Sequence, residues 1–313
     1  MKYSFNHDKW TWVKLGDHDL EEFIDRAGIE PDARDWLKPE DKSATNKLHI
    51  NTAKEGSEYI FGSLVYQQDL DSREDRKVFH FYLEKNRLVT ANFDIDIIKS
   101  SHSEEITQRF EQVDNAIEGF FILTGEILSS YLLHIDEFEE RLEDLIWILK
   151  EENKVQLLEK IADNRHELLI WKNLMLPLIE IKIAAEEAFG DWVTEKKEYK
   201  RMCKRLERGR ELVKEHQYEI DTMLNLEEVV SSHRGNEIMK TLTVMTILFT
   251  PIAAWGALWG MNFEVMPELK WKYGYAASIA LIVLSTVALY IYLWMKGWTG
   301  DVLKTKKKDS FFQ

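Results

Sequence analysis

One cysteine, Cys203, occurs among the 313 residues. A single thiol excludes an intrachain disulfide and suits a reducing compartment. Basic residues are in the minority: 41 Lys and Arg face 55 Asp and Glu, giving a formal charge of −14. That balance repels nucleic acid, so no nucleic-acid partner is expected. The opening MKYSFNHDKW has no apolar core of the signal-peptide kind. A Walker-type glycine loop and an HExxH pair are both missing, which argues against a nucleotide-driven pump and a zinc hydrolase. Nothing suggests an enzyme, and no cofactor is expected. Mean hydropathy is −0.35, so any membrane-crossing part must be confined to short stretches.

Two stretches lack charge altogether. Thr241 to Gly260 and Tyr273 to Met295 contain no Asp, Glu, Lys or Arg. Each is roughly 20 residues, the length at which a helix crosses about 30 Å of hydrocarbon. A two-helix transmembrane hairpin is therefore expected at the C-terminal end. Lysines gather outside it: Lys240 before the first run, then Lys296, Lys304 and Lys306 to Lys308 after the second. The turn between the runs carries Glu264 and Glu268 beside Lys270 and Lys272. The positive-inside bias then predicts a multi-pass protein of the cell membrane with both chain ends cytoplasmic. Residues 237–313 net about +3, which leaves the remainder near −17. That surplus either enriches cations around the soluble part or serves solubility alone.

Residues 1–100 read as mixed α/β. Strands are predicted around Leu48–Thr52, Tyr59–Tyr66, Val78–Leu83 and Leu88–Phe93, with a turn at Lys85-Asn86. Short helices are predicted at Glu21 to Arg26 and Asp32 to Leu37. From about Glu104 the periodicity is helical, with rows Phe110, Val113, Ile117, Phe121 and Phe138, Leu142, Leu145, Leu149. A further row, Leu168, Trp171, Leu174, Leu178, follows an expected break near Asn164. Trp192 to Ser232 holds no proline and one glycine. Its seam of Met202, Leu206, Val213, Ile220, Met223 and Val230, interrupted by Gly209 and His216, predicts a long helix and a weak coiled coil. This helix runs on into the first uncharged stretch.

Thr243, Thr246, Thr250, Ala253 and Ala257 step along one face of that stretch, and Asn262 extends the row beyond it. Small and polar faces in lipid pack against other helices. One hairpin cannot enclose a water-filled path, so the face either lines a pore in a symmetric ring of chains or makes a tight helix contact without a pore. Weaker candidates lie upstream. Asp136, Glu137, Glu139, Glu140, Glu143 and Asp144, near Glu151-Glu152, suit a solvated face better than a metal site. His102 beside Glu104 and Glu105, and His216 near Glu219, lack zinc-site spacing. Cys203 stands among Arg201, Lys204 and Arg205, which would lower its pKa, although a passive helix position is favoured.

Gly260-Met261-Asn262 closes the first span, before Phe263-Glu264 and Met266-Pro267-Glu268-Leu269 and one last span. With Asn236-Glu237, Met239-Lys240 and Pro251, this tripeptide resembles the CorA family of divalent-cation channels over residues 236–300. The resemblance implies an α+β membrane protein. Its parts would be an α/β cytoplasmic domain (1–100), a long-helix stalk (101–235), a pore helix (236–262), an outer loop (263–272), a second transmembrane helix (273–296) and a basic tail (297–313). It implies a homopentamer in the lipid bilayer carrying Mg²⁺ and Co²⁺, with Zn²⁺ or Ni²⁺ as further cargo. Gly260, Met261 and Asn262 would select the hydrated ion. Asn236, Met239, Leu242, Thr246, Thr250, Ala253 and Ala257 would line the path, Met239 and Leu242 forming an apolar gate. Glu264 and Glu268 would concentrate cations at the mouth, and Lys304 to Lys308 resembles the family's lysine-rich end. Closure by intracellular magnesium bound between acidic domains is implied as regulation, but no metal-binding residue of the soluble part is assigned. Trp259, Ala253 and Thr250 depart from the usual tyrosine, threonine and methionine. The zinc-transporting branch of the superfamily, and a membrane-anchored interaction protein without transport, are the rival readings.

Overall fold

The computed structural model describes residues 1–16, 45–70, 72, 74–94, 103–151, 155–264 and 266–298. The helices predicted at Glu21 to Arg26 and Asp32 to Leu37, together with His102, Glu152 and Lys304 to Lys308, lie outside the described residues. The chain divides into two compact units, Met1–Leu149 with Lys154–Asp221, and Lys150–Asn153 with Thr222–Gln313.

In the first unit the strands are β1 (Lys2–Phe5), β2 (Trp10–Leu15), β3 (Lys47–Asn51), β4 (Tyr59–Gln68), β5 (Arg76–Glu84) and β6 (Arg87–Ala91). They form one sheet of order β1-β2-β6-β5-β4-β3. Only β2 and β6 run parallel among these neighbours; the other pairs are antiparallel. No strand is predicted before Leu48, and the β1–β2 hairpin corrects that expectation. Its turn uses Asn6, His7 and Asp8 at φ 48, 56 and 63. Short polar side chains tolerate that left-handed region best. Asn6 also anchors the turn, its Nδ2 donating to the Val113 carbonyl at 3.1 Å and the Asp114 carboxylate at 2.9 Å. Tyr59 to Tyr66 of β4 is buried without alternation, as in a strand covered on both faces.

The helices of this unit are α1 (Ser103–Phe110), α2 (Ala116–Glu151), α3 (Val155–Phe189), α4 (Trp192–Glu195) and the start of α5 (Lys197–Trp259). Phe110 docks α1 on the sheet through ring contacts of 5.1, 5.4 and 5.5 Å with Phe5, Trp10 and Trp12. Phe120 of α2 meets Phe81 of β5 at 4.7 Å. By length and composition Ala116–Ile148 could cross a membrane, yet 89% of its apolar window is buried within the protein. Its hydrophobicity therefore belongs to the core. No break occurs near Asn164: the residue stays helical, and its Nδ2 donates to the Lys160 carbonyl at 2.7 Å. An asparagine that satisfies its own preceding turn need not interrupt a helix.

The seam of α5 also differs from its sequence reading. Met202, Leu206, Val213, Ile220 and Met223 are buried. Gly209 and His216 are part of the same stripe, not interruptions of it. A Cβ on Gly209 would stand 2.9 Å from Met175 Cε and 3.6 Å from a Leu132 methyl. His216 is buried, with its ring 5.7 Å from Phe138 and its Nδ1 3.1 Å from Glu219. Around Gly209 and His216 the seam packs on α2 and α3 of its own chain, so there the heptad spacing reports an internal bundle. Glycine at 209 lets α5 approach α3 closely.

Ion pairs tie three helices together at the sheet-proximal end of α5. The Glu126 carboxylate, 2% exposed, accepts from Arg109 and, at 2.9 Å, from Arg205. Glu198 accepts from Arg109 at 2.5 Å and from Arg201 at 2.7 Å. Burial opposes the Arg109 charge, but bonding to Glu198 and Glu126 outweighs it and leaves the guanidinium pKa raised.

Candidate pore helix and its outer end

The second unit holds the far part of α5, a 3₁₀ turn at Pro267–Lys270, and α6 (Gly274–Met295). Both helices are long and apolar enough to cross a membrane. Aromatic side chains mark the ends of α6. Tyr273 and Tyr275 stand exposed at its start, and Tyr292, Trp294 and Trp298 at its end. From Tyr275 to Trp294 the rise is about 28 Å, close to the hydrocarbon thickness, as interfacial aromatic belts require.

Pro251 sits inside α5 without breaking it. Having no N–H, it leaves the Ile247 carbonyl without its helical donor. Val244 and Pro251 are buried. At 100° per residue, Met239, Thr246, Thr250, Ala253 and Ala257 share an arc of about 60°, turned about 140° away from the buried pair. Asn236, Leu242 and Thr243 flank that arc. The members of the arc are exposed in the single chain, Met239 at 61%, and so is the flanking Leu242 at 61%.

The threonines of this face are chemically directed. Thr243 donates to the Met239 carbonyl at 2.7 Å, Thr246 to Leu242 at 2.9 Å, and Thr250 to Thr246 at 2.8 Å. Each hydroxyl proton is thus spent within the helix. The oxygen lone pairs left over turn the face into a row of acceptors.

At the outer end, Gly260 N–H bonds to the Gly256 carbonyl at 2.9 Å and the Ala257 carbonyl at 3.2 Å. A Cβ at 260 would lie 3.0 Å from the Gly256 carbonyl oxygen and 3.6 Å from that of Ala257, a tight fit against the last turn. Met261, Asn262 and Glu264 follow, all exposed. Glu268 belongs to the 3₁₀ turn. Trp259, the departure from tyrosine, stacks on Trp255 at 5.5 Å and 21°.

The upstream candidates belong to the first unit. Asp136, Glu137, Glu139, Glu140, Glu143 and Asp144 are all exposed, in keeping with a solvated face. Among the described residues, no group of three or more His, Cys, Asp or Glu is placed to hold a metal. The Cys203 thiol is pushed up to about 11, by burial first, with Lys182 opposing and Glu186 and Glu207 adding to the rise. That suits the passive helix position favoured from sequence and sets aside activation by cations: Arg201 and Arg205 are engaged by Glu198 and Glu126. The outward acceptor role of Thr246 and Thr250 was not legible from residue type. Threonine at four-residue spacing on a helix is its only signal.

Residues 7–297 match the family model described as CorA-like Mg²⁺ transporter protein. The magnesium transport protein CorA of Bacillus subtilis (strain 168) is 44% identical over 96% of this chain and 94% of its own length. The cobalt/magnesium transport protein CorA of Thermotoga maritima is 40% identical over 21% of this chain and 19% of its own. In three dimensions the complete CorA magnesium transporter of Methanocaldococcus jannaschii superposes with a TM-score of 0.65 at 19% identity, covering 95% of this chain and 93% of that one. With the fold and the family model agreeing along nearly the whole sequence, the chain belongs to the CorA-like Mg²⁺ transporter family.

Proposed function

We propose that this protein is a homo-oligomeric channel of the cell membrane that admits Mg²⁺ to the cytoplasm, where both chain ends lie. The observation that carries the reading is the exposed arc of acceptor oxygens and small side chains on α5, which leads to Asn262 and faces away from the buried side of the helix. A ring of copies, five by family resemblance, turns that arc inward and encloses a path no single hairpin can make.

Magnesium holds its water tightly and dehydrates reluctantly. A ring of Asn262 carboxamides offers acceptor oxygens to the bound water without a fixed charge that would trap the ion. Thr250 and Thr246 continue the same chemistry inward. Met239 and Leu242 close the inner end as an apolar constriction that gates by dewetting. Glu264 and Glu268 raise the cation concentration at the mouth. An inside-negative potential favours entry of a divalent ion by about 4.6 kcal/mol per 100 mV, so no nucleotide is needed. The name of the Bacillus relative supports Mg²⁺ as cargo, and that of the Thermotoga relative supports Co²⁺.

Ion competition tests the cargo. Proteoliposomes loaded with a magnesium dye take up Mg²⁺, and Co²⁺ competes at similar concentration while Zn²⁺ competes weakly. Zn²⁺ flux without Mg²⁺ flux would move the protein to the zinc-transporting branch. No flux of either ion would leave a membrane-anchored interaction protein.

A further inference from the structure

Between the β4–β5 connection and helices α2 and α3, the first unit holds a cavity of about 370 Å³. Its inner wall is aromatic. Tyr131 and Trp171 are buried there with ring centroids 5.6 Å apart, and His134 stacks on Trp171 at 5.3 Å and 28°. The His134 Nδ1 lies 2.7 Å from the Ser130 carbonyl. A carbonyl only accepts, so Nδ1 carries hydrogen and the neutral ring keeps its lone pair on Nε2. Leu70, Ile127 and Leu174 complete an apolar lining.

The mouth is charged, and unevenly so. Four carboxylates, those of Asp69, Asp75, Glu137 and Glu167, stand against two cations, Lys77 and Arg141. Arg141 is spent on Glu167, which accepts from it at 2.6 and 2.7 Å. Asp75 and Glu137 are exposed, come from the strand side and from α2, and their carboxylates pair with none of the described residues. The surplus of negative charge turns away phosphates and other anions. Among the described residues no group of three or more His, Cys, Asp or Glu is placed to hold a metal. The cation that suits this cavity is therefore organic.

We infer that the cavity binds an aliphatic polyamine. Its ammonium groups meet Asp75 and Glu137, and the methylenes between them lie along Leu70, Leu174 and Trp171. Such a chain alternates charged and apolar parts as the lining does, and His134 Nε2 offers an acceptor to a further amine. The volume falls in the range of small-ligand sites. The cavity lies wholly within the first unit, so its occupancy is independent of ion passage.

The test is isothermal titration calorimetry of the full chain in neutral detergent with spermidine, beside octanediol, an uncharged chain of matched length. Wild type binds spermidine saturably at a single site per chain and does not bind octanediol. Glu137→Gln and Asp75→Asn each weaken spermidine binding roughly threefold, and the double variant about tenfold, as exposed ion pairs allow. Glu139→Gln with Glu140→Gln removes the same charge from α2 outside the cavity and leaves binding unchanged. Leu70→Trp keeps every charge, fills the hollow and lowers affinity severalfold. All five positions are exposed, so the variants keep the fold. Binding that never saturates, equal binding of octanediol, or an outer pair that weakens binding as much as the inner pair would overturn the inference. So would an unaffected Leu70→Trp, or full displacement by Mg²⁺ at equal concentration, which would assign the carboxylates to a divalent ion.

Discussion

Glu126→Ala is expected to loosen the junction of α1, α2 and α5 more than any exposed charge change. The side chain is 2% exposed and accepts from two guanidinium groups. Removing it leaves Arg205 without a carboxylate and Arg109 with Glu198 alone. Breaking a buried pair from one side costs about 3–5 kcal/mol. Arg109 and Arg205 are 24% and 31% exposed, so water partly compensates and the lower end, about 3 kcal/mol, applies. For a unit of this size that is a fall in Tm of about 6–12 °C. Tryptophan fluorescence of the full chain during heating reads it. Lys204→Ala is the control, because its pair with Glu207 is 82% and 67% exposed and should move Tm by about 1–2 °C at most. The raised pKa of Arg109 means its contribution is fully present below the unfolded value and lost only as pH rises through the still higher folded one. The Glu126→Ala penalty should therefore stay constant from about pH 6 to pH 10. A shift equal to that of the control, or one that fades within that range, would refute the buried-network argument.

Three further outcomes follow from single contacts. Cys203, at about 11 rather than 9.0, should alkylate about a hundredfold more slowly in the folded protein than in denaturant near pH 8. Rapid labelling of native protein by iodoacetamide would place the thiol in a different environment. Gly209→Leu would drive a side chain into Met175 and Leu132, costing about 1–3 kcal/mol and lowering Tm; an unchanged melt would mean that α5 is not packed closely there. Gly260→Ala should cut Mg²⁺ flux while leaving the soluble unit's melting intact, since its Cβ would meet the Gly256 and Ala257 carbonyls of the last turn. Full flux from that variant would show that the turn relaxes freely.

The hairpin was legible because an uncharged run of 20 residues has few uses besides a bilayer. The four strands from Leu48 to Phe93 were legible through β-branched and aromatic runs. Lys2–Phe5 and Trp10–Leu15 were not, since their turn is stabilised by Asn6 bonding to Val113 and Asp114, far away in sequence. Gly209 and His216 were misread for a related reason. Propensity counts a glycine and a histidine as breaks, whereas packing against Met175 and Phe138 makes them the seam. Asn164 misled in the same direction, its turn signal satisfied inside the helix. At the candidate pore, residue types gave the face. The direction of the Thr246 and Thr250 hydroxyls, which decides that the face accepts hydrogen bonds, needed coordinates. For Cys203 the passive position favoured from sequence stands, and the coordinates add that Arg201 and Arg205 are already paired.

In the proposed function, hydrated Mg²⁺ passes a ring of Asn262. Its most direct test is Mg²⁺ entry into proteoliposomes, wild type beside Asn262→Ala, with and without cobalt hexammine, which has the shape of a hydrated magnesium ion but does not readily shed its ligands. Wild type should show flux, the complex should block it, and the variant should lose most Mg²⁺ flux. Wild-type flux that ignores cobalt hexammine and survives in Asn262→Ala would contradict it.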